Sequence, residues 1–264
     1  MTTSPLTVDL ADGAALHVEV DGSGPDVVLM SGLGGSAAFW APLVGEIASE
    51  HRAIRFDQRG IGASTRGEAA TTIEELARDA LAVMDACGSR RATCVGHSTG
   101  GCIVQEMARQ APDRVERLVL SGTWLGPNRY MEVQFEGRLA LLGASPRHYA
   151  ALTHLSGHPP EDLEDFRIVE DAMAAAPVGE AAQRVVAERI AALLAFDSRP
   201  WTHEISIPRL VIGASDDMIV PMFLQRELAA AAPCDLHALS GGGHFYPQTR
   251  PTEFADALRS WWTP

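Results

Sequence analysis

The chain contains no lysine, so all 21 of its basic side chains are arginine. That absence excludes a lysine Schiff base with pyridoxal phosphate and the lysine of a phosphate-binding P-loop. Cysteine is scarce: Cys87, Cys94, Cys102 and Cys234 lie scattered without a C-x-x-C pair. In a chain of 264 residues, long enough to bury a large core without staples, they read as buried reduced thiols. No apolar run approaches the ~18 residues of a membrane span, and the opening MTTSPLTVDLADG lacks the basic, apolar, small-residue order of a signal peptide. The expectation is a cytoplasmic protein. Positive charge is short as well, 34 acidic side chains giving a formal net charge of -13, which repels polyanions and anionic lipid surfaces. The expected partner is a small-molecule substrate, with no nucleic acid and no membrane; nothing in the sequence sets an oligomeric state.

What is present is an alternation. Apolar runs bounded by glycine, proline and charge predict strands near 14–20, 27–30, 53–56, 92–95, 118–120, 210–212 and 236–239. Between them lie helical patterns, among them 73–86, 101–110 and 224–231. The expected fold class is α/β, a mostly parallel central sheet flanked by helices. The alternation breaks over 125–199, where Val185, Val186, Ile190, Leu193 and Leu194 fall on one helical face. This segment predicts a helical cap, or lid, inserted between late strands, with residues 1–124 and 200–264 forming the core domain.

The sequence TCVGHSTGGC, residues 93–102, places Ser98 in G-x-S-x-G between a strand pattern and a helix pattern. A strand turning sharply into a helix holds such a serine at strained backbone angles, and Gly96 and Gly100 keep the turn free of collisions. A serine hydroxyl needs a base, and imidazole suits neutral pH. Of the nine histidines, His97 reads as packing, and His17, His51, His203 and His237 as strand or surface residues. His154 and His158 have metal-ligand spacing, but Gly157, Pro159 and Pro160 disrupt the helix it needs. His148 and His154, in the cap, are possible substrate contacts. His244 follows SGGG directly after the last strand, on the kind of loop where a parallel sheet exposes functional residues. A carboxylate to orient it comes from Asp216 or Asp217, directly after another strand.

With GHSTGG, DMIVP and GGH in the order serine, acid, histidine, the chain resembles the α/β-hydrolase superfamily along nearly its whole length. The resemblance favours Asp217, four residues before the proline of D-x-x-V-P, and implies a Ser98–His244–Asp217 triad. It extends to DQRGIGAS at 57–64, where Asp57 and Arg59 shape a loop rather than react. SGLGGSAAFW, DQRGIG, SGTWLG and ASDDMIVP are similar to the branch with pyrimidine-utilisation aminoacrylate (carbamate) hydrolases and enol-lactonases, and GHSTGG is also similar to cofactor-free haloperoxidases and esterases.

The glycine turn GLGGSA fits a dinucleotide-binding fingerprint as well, with Asp57 at the end of the following strand. An extra strand before it and a complete nucleophile constellation after it favour another task. The turn supplies one oxyanion-hole N–H, from Leu33, beside that of Thr99. Ser31 stands where the family usually has histidine. No cofactor and no metal is expected. The implied activity is hydrolysis of an ester, lactone or amide- or carbamate-like bond through an acyl-enzyme. C–C bond hydrolysis and haloperoxidase- or perhydrolase-like chemistry are alternatives on the same triad; a non-turnover receptor and a nicotinamide oxidoreductase are rivals of other classes. Trp124, Arg129, Tyr130, Gln134 and Phe245 are expected substrate contacts, with Asn128 beside them. Arg129 or Arg138 would serve an anionic metabolite.

Overall fold

The structure, a computed structural model, describes residues 5–262; the outermost residues of the expected core segments, 1–4 and 263–264, lie outside them. The strands are β1 (Leu6–Asp9), β2 (Ala15–Gly22), β3 (Asp26–Met30), β4 (Arg52–Phe56), β5 (Ala92–His97), β6 (Val115–Ser121), β7 (Arg209–Ala214) and β8 (Asp235–Leu239). The helices are α1 (Ala41–Ile47), α2 (Ile73–Ala86), α3 (Thr99–Gln110), α4 (Arg129–Ala144), α5 (Pro146–Gly157), α6 (Arg167–Ala174), α7 (Glu180–Ala195), α8 (Met222–Ala230), α9 (Tyr246–Thr249) and α10 (Pro251–Trp262). They build one eight-stranded sheet in the order β1-β2-β4-β3-β5-β6-β7-β8. The β1–β2 and β2–β4 pairs are antiparallel, and every pair from β4–β3 through to β7–β8 is parallel.

The near-continuous apolar strands follow from burial on both faces. Val28 and Met30 of β3 join a core with α2, α3 and α8, whereas Val27 and Leu29 join a second core with α1 and α10. Leu118 and Leu120 against Val119 repeat that alternation in β6, as the two-residue period of a strand requires. The sequence pattern misses β1, an edge strand with only Val8 buried. Two of the four thiols expected to be buried, Cys87 and Cys234, are half-buried, because they sit at a helix end and in the turn before β8; all four cysteines are free.

Helices α4 to α7 are inserted between β6 and β7. Beneath the β3 and β4 loops, Arg59 is fully buried. It makes a two-pronged contact to Asp79 of α2 (2.7 and 2.6 Å) and a third to Asp12 (2.8 Å). Asp57 accepts from the Ala37 and Ala63 N–H groups at 2.9 and 3.0 Å. Both residues therefore brace the loop that follows β4. Removing Asp79 strips Arg59 of its two-pronged partner but leaves it Asp12 at 2.8 Å and Glu75 at 3.6 Å, so Asp79→Ala should destabilise the fold by about 1–3 kcal/mol, less than for a fully orphaned buried charge. Urea unfolding measures this; a loss under 1 kcal/mol would show that the pair braces nothing.

Candidate active site

β5 ends in a turn that carries Ser98 at φ 57°, ψ -124°, the only positive φ among the described non-glycine residues. Such strain, typically 1–3 kcal/mol, persists only where packing over-determines it. The packing is visible at the glycines on either side. A Cβ on Gly96 would stand 2.2 Å from the Gly100 carbonyl oxygen, and one on Gly100 would stand 2.0 Å from that of Met30. Ser98 N–H donates to Ser121 O at 2.8 Å, anchoring the turn on β6. The α3 helix starts at Thr99, so Ser98 stands at its N-terminus.

The glycine turn after β3 closes over this serine. A Cβ on Gly32 would lie 2.9 Å from Ser98 Cβ and 3.4 Å from its Oγ. Gln58 Nε2 donates to Ser31 O (2.8 Å), and Arg189 of α7 donates to Leu33 O (2.7 Å), Gly32 O (3.0 Å) and Gln58 Oε1 (2.5 Å). Arg189 is fully buried. Sequence reasoning missed it, although a cation at the 185, 189, 193 spacing inside an apolar stripe was the available signal.

After β7, both aspartates serve the histidine loop. Asp217 Oδ1 accepts the Ile219 and Val220 N–H groups, each at 2.8 Å, and its Oδ2 accepts from His244 Nδ1 at 2.7 Å. Asp216 accepts the Gly242 and Gly243 N–H groups at 3.1 and 3.0 Å. One carboxylate therefore holds the imidazole and the other the loop beneath it. An ionised carboxylate is an acceptor only, so the proton lies on Nδ1 and Nε2 is left as the basic nitrogen.

Ser98, His244 and Leu33 line one cavity of about 550 Å³, shared by the sheet's loops and the inserted helices. Phe245 lines it too, as does Arg138, and His154 closes part of the wall. The other expected substrate contacts lie elsewhere. Trp124 is fully buried in the hydrophobic core, fixed there because its carbonyl accepts from Gln105 of α3. Arg129, on the first turn of α4, is exposed and paired with Glu132. Tyr130 and Gln134 turn to the carbonyls of Met218 and Ile219 outside the cavity. Asn128 caps α4, accepting from Met131 N–H at 3.1 Å. His148 pairs with Ser145 on the surface. No helix among the described residues is long and apolar enough to cross a membrane.

Comparison with known proteins identifies the family. The model of the α/β-hydrolase fold family matches residues 25–247, and the chain belongs to that family as an α/β-hydrolase enzyme. It is 39% identical to a putative carbamate hydrolase RutD of Variovorax paradoxus over 92% of this chain and 94% of that protein. It is 33% identical to the one of Azorhizobium caulinodans, over 93% and 94%. Among solved structures, the enol-lactonase of Burkholderia xenovorans superposes with a TM-score of 0.85 at 28% identity, covering 99% of this chain and all 100% of that one. A hydrolase from Pseudomonas aeruginosa gives 0.87 at 28%, covering 99% of both.

Three more imidazoles surround the site. His97 is buried between Phe39 (5.2 Å) and His244 (4.7 Å). Tyr246 donates to Ile212 O, so Ser121 donates to Tyr246, and His97 Nδ1 donates to Ser121. Burial, then the neighbouring His244, holds the His97 pKa well below its ordinary value. His154 and His158 stack at 5.4 Å against Phe245; burial, then His158, lowers His154 to about 4, and burial also lowers His158. Unfolded imidazoles bind protons at about pH 6.5, so the stability these groups confer is complete above that pH and drains away as pH falls, for His154 down to about 4. His154→Phe should flatten the decline of unfolding free energy between pH 6.5 and 4.5 by up to one proton's slope. Identical slopes for parent and variant would contradict this.

Proposed function

We propose that this enzyme is a serine hydrolase that cleaves an ester, lactone or amide- or carbamate-like bond of a small metabolite through an acyl-enzyme. The observation that carries the reading is the meeting of the strained Ser98 with the Asp217-held His244 in one cavity. His244 Nε2 takes the proton of Ser98 as its oxygen attacks the carbonyl, and Asp217 stabilises the imidazolium that results. The carbonyl oxygen becomes an anion held by the Leu33 and Thr99 N–H groups, the second at a helix N-terminus whose dipole favours negative charge. His244 then protonates the leaving group, and water attacks the acyl-enzyme by the same path reversed. The helices of residues 125–199 act as a cap that completes the cavity and selects the substrate.

Arg189 fits this reading as a brace between cap and oxyanion loop. By holding the Gly32 and Leu33 carbonyls on the cap side, it turns the peptide dipoles so that N–H groups face the serine. It does the ordering that a histidine at position 31 does in other members of the family. The carbamate hydrolase and enol-lactonase names of similar proteins support the bond classes given.

Ser98→Ala should abolish turnover of p-nitrophenyl acetate while leaving the circular dichroism spectrum intact; retained turnover would refute the assignment. Asp217→Asn, which disturbs the tautomer, should cost about 10⁴ in kcat. Asp216→Asn keeps a carbonyl acceptor for the loop and should cost far less, so the reverse order would exchange the two roles. Arg189→Met should lower kcat roughly tenfold or more with little change in KM, since the loop acts on the transition state; an effect confined to KM would place Arg189 in ground-state binding.

A further inference from the structure

Among the described residues lining the cavity there is no aspartate, glutamate or lysine, and one arginine, Arg138. It lies on the buried stripe of α4, in register with Met131, Phe135 and Leu142, at a position where a helix ordinarily puts an apolar side chain. Only 4% of it is exposed. Its guanidinium sits 5.6 Å from the centre of the Phe135 ring, itself a wall of the cavity.

The partners of this cation are all neutral. Nη1 donates to Thr153 Oγ1 at 3.1 Å and Nη2 to Ser156 Oγ at 2.9 Å. Those hydroxyls spend their own protons on the Tyr149 and Leu152 carbonyls of α5, at 2.9 and 2.7 Å, so they meet Arg138 as uncharged acceptors. No carboxylate among the described residues lies within ion-pair distance of it, whereas Arg59, buried as deeply, has Asp79 and Asp12. A guanidinium has five N–H groups in a planar fork; these contacts use two. A buried cation with no carboxylate in direct contact is unfavourable for folding alone, and burial pulls the Arg138 pKa below its ordinary value, against the weaker opposite pull of Tyr149, Tyr130 and the more distant Asp217.

We propose that Arg138 anchors a carboxylate on the part of the substrate that is not cleaved, so that the natural substrate is an ester, lactone or C–N compound bearing a free acid group. The rest of the molecule lies along the apolar wall formed by Phe39, Phe135, Ala150, Ala176 and Val186, and the acid supplies the directly bonded anion that the protein leaves out. In a chain with net charge -13, a cationic point inside an apolar cavity separates acids from neutral esters by a bidentate contact that water no longer weakens.

The substrate assignment rests on the hydrolase reading above, and the test separates the two. With the full-length enzyme, kcat/KM is compared for p-nitrophenyl hydrogen glutarate and p-nitrophenyl valerate, which differ in a carboxylate against a methyl. The parent should prefer the acid by about tenfold or more, the worth of a hydrogen-bonded charge pair. In Arg138→Gln that ratio should collapse toward unity through KM, and in Arg138→Lys, which keeps the charge but not the fork, it should fall between the two. A parent without preference, or a variant with the parental ratio, overturns the proposal. Because turnover also depends on Ser98, glutarate binding is measured calorimetrically in Ser98→Ala and in Ser98→Ala/Arg138→Gln. Weakening by about tenfold or more in the double variant supports the subsite whether or not the esters are cleaved; equal binding overturns it.

Discussion

The site depends on a close approach of backbone to backbone. Where the first turn of α3 passes the end of β3, the Gly100 Cα hydrogens face the Met30 carbonyl, and any larger residue would force the helix off the strand. That contact lets the chain turn tightly enough to present Ser98 at a backbone conformation that no other described non-glycine residue adopts. The strain is paid for by the surrounding order: β5 is buried along all six of its residues, and its neighbours β3 and β6 run parallel to it on either side. A loosened sheet would let the serine relax into an ordinary loop.

Given that fixed point, three other segments are drawn to it by separate devices. The glycine turn after β3 packs against the serine because Gly32 has no side chain there. The histidine loop is pulled in by both aspartates after β7, one bonded to the ring and one to two backbone N–H groups. Among the ties of the inserted helices, two reach the loops around the serine: Arg189 on the glycine turn, and the Gly157 carbonyl, which accepts from Phe245 N–H at 2.9 Å. The inserted helices are thus bonded to the loops on both sides of the serine, so their position and that of Ser98 and His244 are coupled.

Much of this was legible in the residues. Seven strands, the long α2 and α3 helices and the inserted helical segment follow from periodicity, because strands buried on both faces and amphipathic helices leave strong patterns. The serine, the histidine and the two candidate acids were marked by glycine spacing and by their places at strand ends. What the pattern hid was of two kinds. β1 is only four residues long, so its alternation of Leu6 and Val8 with Thr7 and Asp9 spans too little chain to stand out. The substrate contacts depend on how α4 rotates onto the core. Residues near its start point to solvent or to the Met218 loop, while Arg138, two turns on, points inward. Arg138 and Arg189 both occupy stripe positions where an apolar residue is the rule, and a charge at such a position is the feature in the sequence that marks an interior polar task.

The central claim, that His244 held by Asp217 activates Ser98, is tested most directly by labelling with a fluorophosphonate and following the adduct by intact-protein and peptide mass spectrometry. One adduct should form on the peptide containing Ser98, and its rate should fall by orders of magnitude in His244→Ala, whose fold is otherwise retained. Labelling at another residue, or at Ser98 with the same rate when the imidazole is gone, would contradict the account.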